Sequence, residues 1–290
     1  MNINSKADWS KVYIQPTPTS YFQIVSKMQY GIPEYSLQYI RPILKKLHTK
    51  LKRPVNIVDL GASYGIISSL LLFDLKMEQL IDFFVEDDKI KQPTWEEIEK
   101  FYRAKKKVHP EYKFYLSDNS QPAMSFSERV QICEKSYCFD LSKEVLPLDF
   151  QKIVKKTDLF IATGSLGYIG DYFFRQIFSI LSSQKRFPLF AFSIYRAFYP
   201  TAIEKVFKQY NYSLIKSNVI LKKGRKFASE LEQKNAIESL HKKNINTVGF
   251  EDEGFYAGEF YLCCPTTEED RLSHWLTSDE NDYGIQWLVL

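Results

Sequence analysis

Cysteine is scarce in this chain of 290 residues, and what there is suits neither metal binding nor redox work. The four residues, Cys133, Cys138, Cys263 and Cys264, form no C-x-x-C pair, and no nearby histidine completes a zinc site. Adjacent cysteines such as Cys263 and Cys264 rarely make a structural disulfide. All four therefore read as buried thiols of a reducing compartment, and a cytoplasmic location is expected. Histidine is equally sparse. His48, His109, His241 and His274 share no metal-ligating spacing, so no metal is expected and no catalytic base is assigned. Long hydrophobic runs are missing too: no stretch nears the ~20 apolar residues of a membrane span. The opening residues, Met1 to Lys6, offer no apolar core of signal-peptide length, so no leader is expected. Charge of one sign is also lacking. A net charge of +4 calls for no nucleic-acid partner. There is no internal repeat and no low-complexity tract.

What is present is an ordinary globular composition, 44% hydrophobic and 26% charged. Its length suits one large α/β domain with embellishments, or two small ones. Aromatics are abundant, with 19 Tyr and 22 Phe, enough for a Phe-rich core or an aromatic-lined pocket. Helical spacing runs over Tyr21 to Tyr30 and Glu34 to Leu51, interrupted at Gly31-Ile-Pro33. The basic cluster Lys45, Lys46, Lys50, Lys52 and Arg53 reads as a solvated helix end. Further helical patterns cover Glu78–Val85 and Thr94–Lys107, the second opening on the capping box Thr94-x-x-Glu97. Strand-like runs follow at Tyr112–Leu116, Tyr137–Phe139, Asp158–Thr163, Phe187–Ile194, Tyr212–Leu221 and Ala257–Cys263, most of them separated by helical patterns. Such alternation predicts a mainly parallel sheet covered on both faces, its terminal strand antiparallel.

The stretch Val55-Asn-Ile-Val-Asp-Leu-Gly-Ala-Ser-Tyr-Gly65 carries the most chemistry. It predicts a buried strand, a tight glycine turn and a helix. Free backbone N–H groups would then lie at the carboxyl edge of the sheet, where a nucleoside-containing ligand is held well. The same residues spell Gly61-x-Ser63-x-Gly65, the nucleophile elbow of serine hydrolases. In that reading Ser63 needs a later acid and histidine, such as Asp158 or Asp171 with His241 or His274.

The order Val-Asp-Leu-Gly resembles the first motif of class I S-adenosylmethionine-dependent methyltransferases. The resemblance extends over nearly the whole chain to a little-characterised bacterial family of that class. It rests on Tyr21-Phe with Tyr30-Gly-Ile-Pro33, Asp59-Leu-Gly-Ala-Ser-Tyr-Gly-Ile66, Ala162-Thr-Gly-Ser-Leu-Gly-Tyr-Ile-Gly170, Glu251-Asp-Glu-Gly-Phe-Tyr256 and Glu259-Phe-Tyr261. Ser63 departs from the family pattern by standing at its middle glycine. The resemblance implies a Rossmann-like, doubly wound, seven-stranded, mainly parallel sheet. It divides the chain into an N-terminal helical segment over 1–52 that could act as a lid, a donor-binding domain over 53–265 with a helical insertion at about 76–111, and a C-terminal tail over 266–290.

The implied activity is methyl transfer from S-adenosylmethionine to an unidentified oxygen or nitrogen nucleophile, with a small molecule expected as acceptor. In this reading Asp59, Gly61, Ala62, Ser63, Tyr64 and Gly65 hold the donor. Asp118 at the end of the second strand clamps the ribose, with Glu86 as rival. Asp140 meets the adenine amine or else caps a helix over Ser142–Val145. Thr163 and Gly164 face the reactive sulfur, while Tyr30, Tyr168, Arg196, Tyr199, Glu251 and Tyr256 are candidates on the acceptor side. No Asn/Asp-Pro-Pro-Tyr or Pro-Cys signature is present, which sets aside adenine and glutamine N-methylation and cytosine-C5 methylation. A non-catalytic nucleoside-binding or effector protein on the same fold is the first alternative, and a serine hydrolase the second.

Overall fold

The computed structural model describes residues 10–86, 89–90, 92–184, 186–268 and 287–289. The chain begins with helices α1 (Ser10–Tyr13), α2 (Thr19–Lys27) and α3 (Ile32–Leu51), and reaches strand β1 (Val55–Leu60). Helices α4 (Ile66–Leu72) and α5 (Met77–Phe84), the hairpin of β2 (Val85–Glu86) and β3 (Lys89–Ile90), and helix α6 (Trp95–Arg103) precede β4 (Tyr112–Asp118). Then come α7 (Gln121–Arg129), β5 (Lys135–Cys138), α8 (Leu148–Val154), β6 (Leu159–Thr163), α9 (Asp171–Gln184) and β7 (Leu189–Tyr195). The last part holds α10 (Thr201–Gln209), β8 (Tyr212–Ser217), β9 (Leu221–Lys226), α11 (Glu230–His241), β10 (Phe255–Pro265) and β11 (Trp287–Val289).

Among the described residues the main sheet has nine strands in the order β11-β8-β10-β7-β6-β1-β4-β5, with β9 attached to β10. The run β5-β4-β1-β6-β7 is parallel throughout. β10 is antiparallel to β7, β8 and β9, and β11 to β8. The doubly wound, mainly parallel sheet is thus as expected, with two strands beyond the expected seven. β9 escapes sequence reading because Leu221-Lys-Lys-Gly-Arg-Lys226 has no apolar alternation, and β11 because it is three residues long. The run Tyr212–Leu221 is accordingly split between β8 and β9, with no strand between Ser217 and Leu221.

Both faces of the sheet are covered, and adjacent residues serve opposite cores. Ile57, Ile161 and Cys264 join one cluster with α3 and α4, while Val58, Phe160 and Cys263 join the other with α9 and α10. A strand buried on both faces reads as a continuous apolar run, which is why β1, β6 and β7 were visible in the sequence. Cys263 and Cys264 are buried free thiols on opposite faces. Cys138, however, is exposed and Cys133 half-buried, against the expectation of burial for all four.

The insertion is built into one core: Phe84 of α5 stacks on Phe22 of α2 with centroids 5.0 Å apart, and Tyr102 of α6 meets Phe126 of α7 edge-on. Thr94 caps α6 as its capping box demands, taking the Glu97 N–H at 3.3 Å and giving its own N–H to Glu97 Oε2 at 2.7 Å. Helix α3 likewise belongs to the sheet. Tyr39 stacks on Phe260 of β10 at 4.2 Å, and the Ser36 and Ser193 hydroxyls are 2.6 Å apart.

The winding defines a switch point. From β1 the chain moves outward to β4 and β5, then crosses back to place β6 on the other side of β1. Register sets Leu60 level with Ser117 and Thr163 level with Ser193, so the carboxyl ends of β1, β4, β6 and β7 share one edge. Ligands of open α/β sheets bind at such an edge, where the order of strands reverses.

Candidate active site

A cleft of about 580 Å³ opens at that edge, a size suited to a small-molecule ligand. One end is built by the glycine turn Gly61–Gly65 and by Asp118. Gly61, Ser63 and Gly65 all have positive φ, at 68°, 54° and 69°. The glycines are required by the protein itself. A Cβ on Gly61 would meet Ser165 Cβ at 2.5 Å, and one on Gly65 would meet Ile132 Cδ1 at 2.5 Å.

Four of the five amides of this turn are not free, contrary to expectation. Gly61 and Ala62 donate to the Ser117 carbonyl at 2.8 and 3.1 Å, and Gly65 donates to the Ala62 carbonyl at 3.0 Å. Ser63 donates to Asp118 Oδ2 at 2.9 Å. The turn is therefore a poor cradle for a pyrophosphate, which needs several unpaired N–H groups. Asp118 instead presents its carboxylate to the cleft. Oδ1 accepts the Ser120 N–H at 3.0 Å, and the carboxylate keeps lone-pair capacity for a ligand hydroxyl. Burial lifts the Asp118 carboxyl above the usual range, opposed by the amides of Ser63, Ser120 and Asn119.

Asp59 lies behind the turn, 1% exposed, with both carboxylate oxygens unpartnered among the described residues. Burial and then the Asp118 charge push its pKa up to about 8. Tyr64 is buried as well, its hydroxyl between the carbonyls of Val12 at 3.0 Å and Gln15 at 2.8 Å. It ties the N-terminal segment to the turn and does not line the cleft. Ala62, Thr163 and Gly164 line it, and so does Asp140. Asp140 accepts from the Ser142 N–H and hydroxyl at 2.8 and 2.5 Å and pairs with Lys143 at 3.1 Å, which holds its carboxyl below the usual range. It caps a turn, since no helix forms over Ser142–Val145.

Glu86, the rival of Asp118, belongs to the separate two-stranded hairpin and not to the main sheet. Spacing along the chain favours it only while the insertion is ignored. The acceptor-side candidates divide in two. Tyr30 and Tyr168 line the cleft. Arg196 and Glu251 instead form a buried ion pair with each other, and the guanidinium also donates to the Asn246 carbonyl at 2.9 Å and lies over the Phe250 ring. Tyr199 donates to Glu204 at 2.8 Å outside the cleft, and Tyr256 is fully buried behind Tyr195. Arg196, Glu251 and Tyr199 are drawn away because each pairs its polar group elsewhere in the fold, and Tyr256 because its ring packs against Tyr195, Phe198 and Phe227.

The cleft also uses residues that sequence reading passed over. Tyr13 and Tyr21 enter from the N-terminal helices, Tyr195 and Phe198 from the end of β7, and Arg225 from β9. Arg225 sits in the run Lys222-Lys-Gly-Arg-Lys226, which looks like a solvated charge cluster, and only its half-buried neighbour Leu221 hints at a wall.

The hydrolase constellation is not assembled. Ser63 Oγ is buried near the Tyr13 hydroxyl, and no histidine lines the cleft among the described residues. Asp158 stands at the opposite edge of the sheet, bonded to Arg53 and Arg186 at 2.8 Å, and His241 meets Thr247 at 3.1 Å. Asp171 pairs with Arg175, and His274 lies outside the described residues.

No protein-family model and no curated protein sequence matches this chain. Several solved structures resemble it distantly. The carbon methyltransferase CurJ shares 12% identity over 89% of this chain and 61% of that one, with a TM-score of 0.47. The plantazolicin methyltransferase BamL, crystallised with a triazolic analogue and S-adenosylhomocysteine, shares 12% identity over 88% of this chain and 96% of its own, with a TM-score of 0.39. The magnesium protoporphyrin IX methyltransferase of Synechocystis, with bound S-adenosylmethionine, shares 11% identity over 79% and 78%, with a TM-score of 0.37. Likenesses this distant carry no argument about the reaction, which has to come from the cleft.

Proposed function

We propose that the protein is an S-adenosylmethionine-dependent methyltransferase acting on a small-molecule oxygen or nitrogen nucleophile. The observation that supports this reading most is the carboxylate of Asp118, held by the turn amide of Ser63 at the switch point and open to the cleft. A carboxylate there suits a pair of ribose hydroxyls, the task it performs in dinucleotide folds. Occupied turn amides disfavour a pyrophosphate, so an adenosyl nucleoside fits better than a dinucleotide.

Bound S-adenosylmethionine would supply an electrophilic methyl group on a sulfonium. In this reading Asp118 orients the ribose, Asp140 meets the adenine end, and the backbone of Ala62, Ser63, Thr163 and Gly164 shapes the wall between donor and acceptor. Tyr13, Tyr21 and Tyr30 cover that space from the N-terminal segment and exclude water, a lid-like role assigned to residues within 1–52. The donor-binding body is then 53–265, its sheet extended by the tail through β11. In-line displacement needs chiefly proximity and desolvation, which such a cover provides. Free cysteines agree with a cytoplasmic setting.

Calorimetry with S-adenosylhomocysteine and with a nicotinamide dinucleotide tests the reading. Heat with the first and none with the second is expected. No heat with S-adenosylhomocysteine near millimolar concentration would overturn it.

A further inference from the structure

The part of the cleft lining around Arg225 is built from a different chemistry from that around Asp118. Its walls are the rings of Tyr30, Tyr168, Tyr195 and Phe198. Among the described residues lining the cleft, Arg225 is the only cation, and it is 4% exposed. Its guanidinium is pinned. Nη1 donates to the Lys226 carbonyl at 2.9 Å and to Glu232 Oε2 at 3.1 Å, and Nη2 donates to Glu232 Oε1 at 2.7 Å. The group also lies 4.6 Å from the Tyr256 ring centroid and 5.8 Å from that of Tyr195.

Glu232 therefore occupies the end-on edge of the guanidinium, between Nη1 and Nη2. The side-on edge, formed by Nε–H and the second N–H of Nη2, has no acceptor among the described residues. Tyr195 lines the same cleft, and its hydroxyl is buried without a partner among the described residues. Buried polar groups are seldom left unpaired, and one that lines a cavity points to a ligand atom that completes it. The unused N–H groups of Arg225 can only donate, and the Tyr195 hydroxyl, which can donate or accept, can donate to the same ligand, so an acceptor is the complement. It is an oxygen-bearing group that only accepts, and the side-on edge of a guanidinium matches a carboxylate bidentately. The surrounding ring faces call for a planar body.

We propose that this part of the cleft anchors the acceptor molecule by a carboxylate on an aromatic or conjugated ring, bound by Arg225 and the Tyr195 hydroxyl. Here Glu232 is a positioning residue that fixes the guanidinium plane. The proposal deepens the methyltransferase reading and rests on it for the identity of the other ligand. It also uses both signs of charge in the cleft lining: Asp118 and Asp140 repel an anionic acceptor, and Arg225 attracts it.

The test uses pairs of probes that differ only in charge and in accepting capacity: benzoate with benzamide, and 2-naphthoate with 2-naphthamide. Each is titrated into the full chain by ligand-observed NMR, with and without S-adenosylhomocysteine. The carboxylates are expected to bind at least about tenfold more tightly than their amides. Tyr195→Phe should weaken them by about tenfold while leaving S-adenosylhomocysteine affinity within about twofold. Arg225→Gln should abolish the preference for acid over amide. Because that variant strands Glu232 and can lose the fold, Tyr195→Phe, which removes only an unpartnered hydroxyl, is the deciding one. Equal affinity for acid and amide, no binding by any carboxylate, or an unchanged carboxylate affinity in Tyr195→Phe overturns the proposal. Failure of S-adenosylhomocysteine alone to bind, with the carboxylate preference intact, sinks the methyltransferase reading instead.

Discussion

The Ser63 amide donates to Asp118 Oδ2 at 2.9 Å, joining the glycine turn after β1 to the carboxylate that ends β4. Fifty-five residues of chain separate the two, yet the donor end of the cleft exists only because they are bonded. Ser120 completes the unit. Its N–H holds the other oxygen of Asp118, and its hydroxyl caps α7 by accepting the Ala123 N–H at 3.2 Å.

That bond sets the first prediction. Asp118→Ala should lower the affinity for S-adenosylhomocysteine by roughly thirtyfold to several hundredfold, through loss of charge-assisted hydrogen bonds of about 2–4 kcal/mol together. It also orphans the amides of Ser63 and Ser120. Asp118→Asn, which keeps one acceptor oxygen, should therefore retain more stability than Asp118→Ala while still losing at least about tenfold in affinity. Glu86→Ala, in the outlying hairpin, should leave affinity unchanged. A larger loss in Glu86→Ala than in Asp118→Ala, measured by calorimetry, would refute this assignment.

The second prediction separates the two uses of the glycine turn. Ser63→Ala removes at most one neutral hydrogen bond, so ligand affinity should stay within about tenfold. Gly61→Val should damage both stability and binding, because φ there is 68° and Ser165 leaves no room for a side chain. Were Ser63 a nucleophile, Ser63→Ala would instead remove esterase activity by a factor on the order of 10⁶. Burst-phase hydrolysis of an activated ester that disappears in this variant would decide for the hydrolase.

Asp59 gives a dependence on pH. Its carboxyl is raised by burial and by the Asp118 charge to about 8, far above its unfolded value of about 3.9. Between those values the folded chain holds a proton that the unfolded chain has released. Stability therefore falls as pH rises through this window. Asp59→Asn, neutral at every pH, should show a shallower decline in Tm from pH 5 to pH 8, with its advantage over the native chain greatest at pH 8. Parallel Tm profiles for the two proteins would mean that Asp59 does not carry the effect.

Arg196 and Glu251 supply a structural control. Arg196→Met leaves Glu251 buried without its cation, and breaking one side of such a pair costs about 3–5 kcal/mol. A drop in Tm of several degrees is expected, with S-adenosylhomocysteine affinity unchanged while the variant stays folded. An affinity loss without a stability loss would return Arg196 to the ligand site.

The strands, the turn and the winding were legible in the sequence because their causes are local. A run such as Leu159-Phe-Ile-Ala-Thr163 is apolar on both sides of the chain, and Asp-Leu-Gly before a helical pattern can hardly form anything except a strand, a turn and a helix. The capping box at Thr94 is likewise complete within four residues. The partners of charged groups could not be read in this way. Whether Glu86 or Asp118 faced the cleft depended on where the inserted helices and hairpin return the chain. Arg196 and Arg225 look alike in sequence, one beside an aromatic run and one inside a lysine cluster. Folding buries the first against Glu251, with no face on the cleft, and sets the second against Glu232 with one edge unused. A buried charge takes its role from the nearest opposite charge in space, and that neighbour is set by strand order and register over distances that local periodicity does not encode.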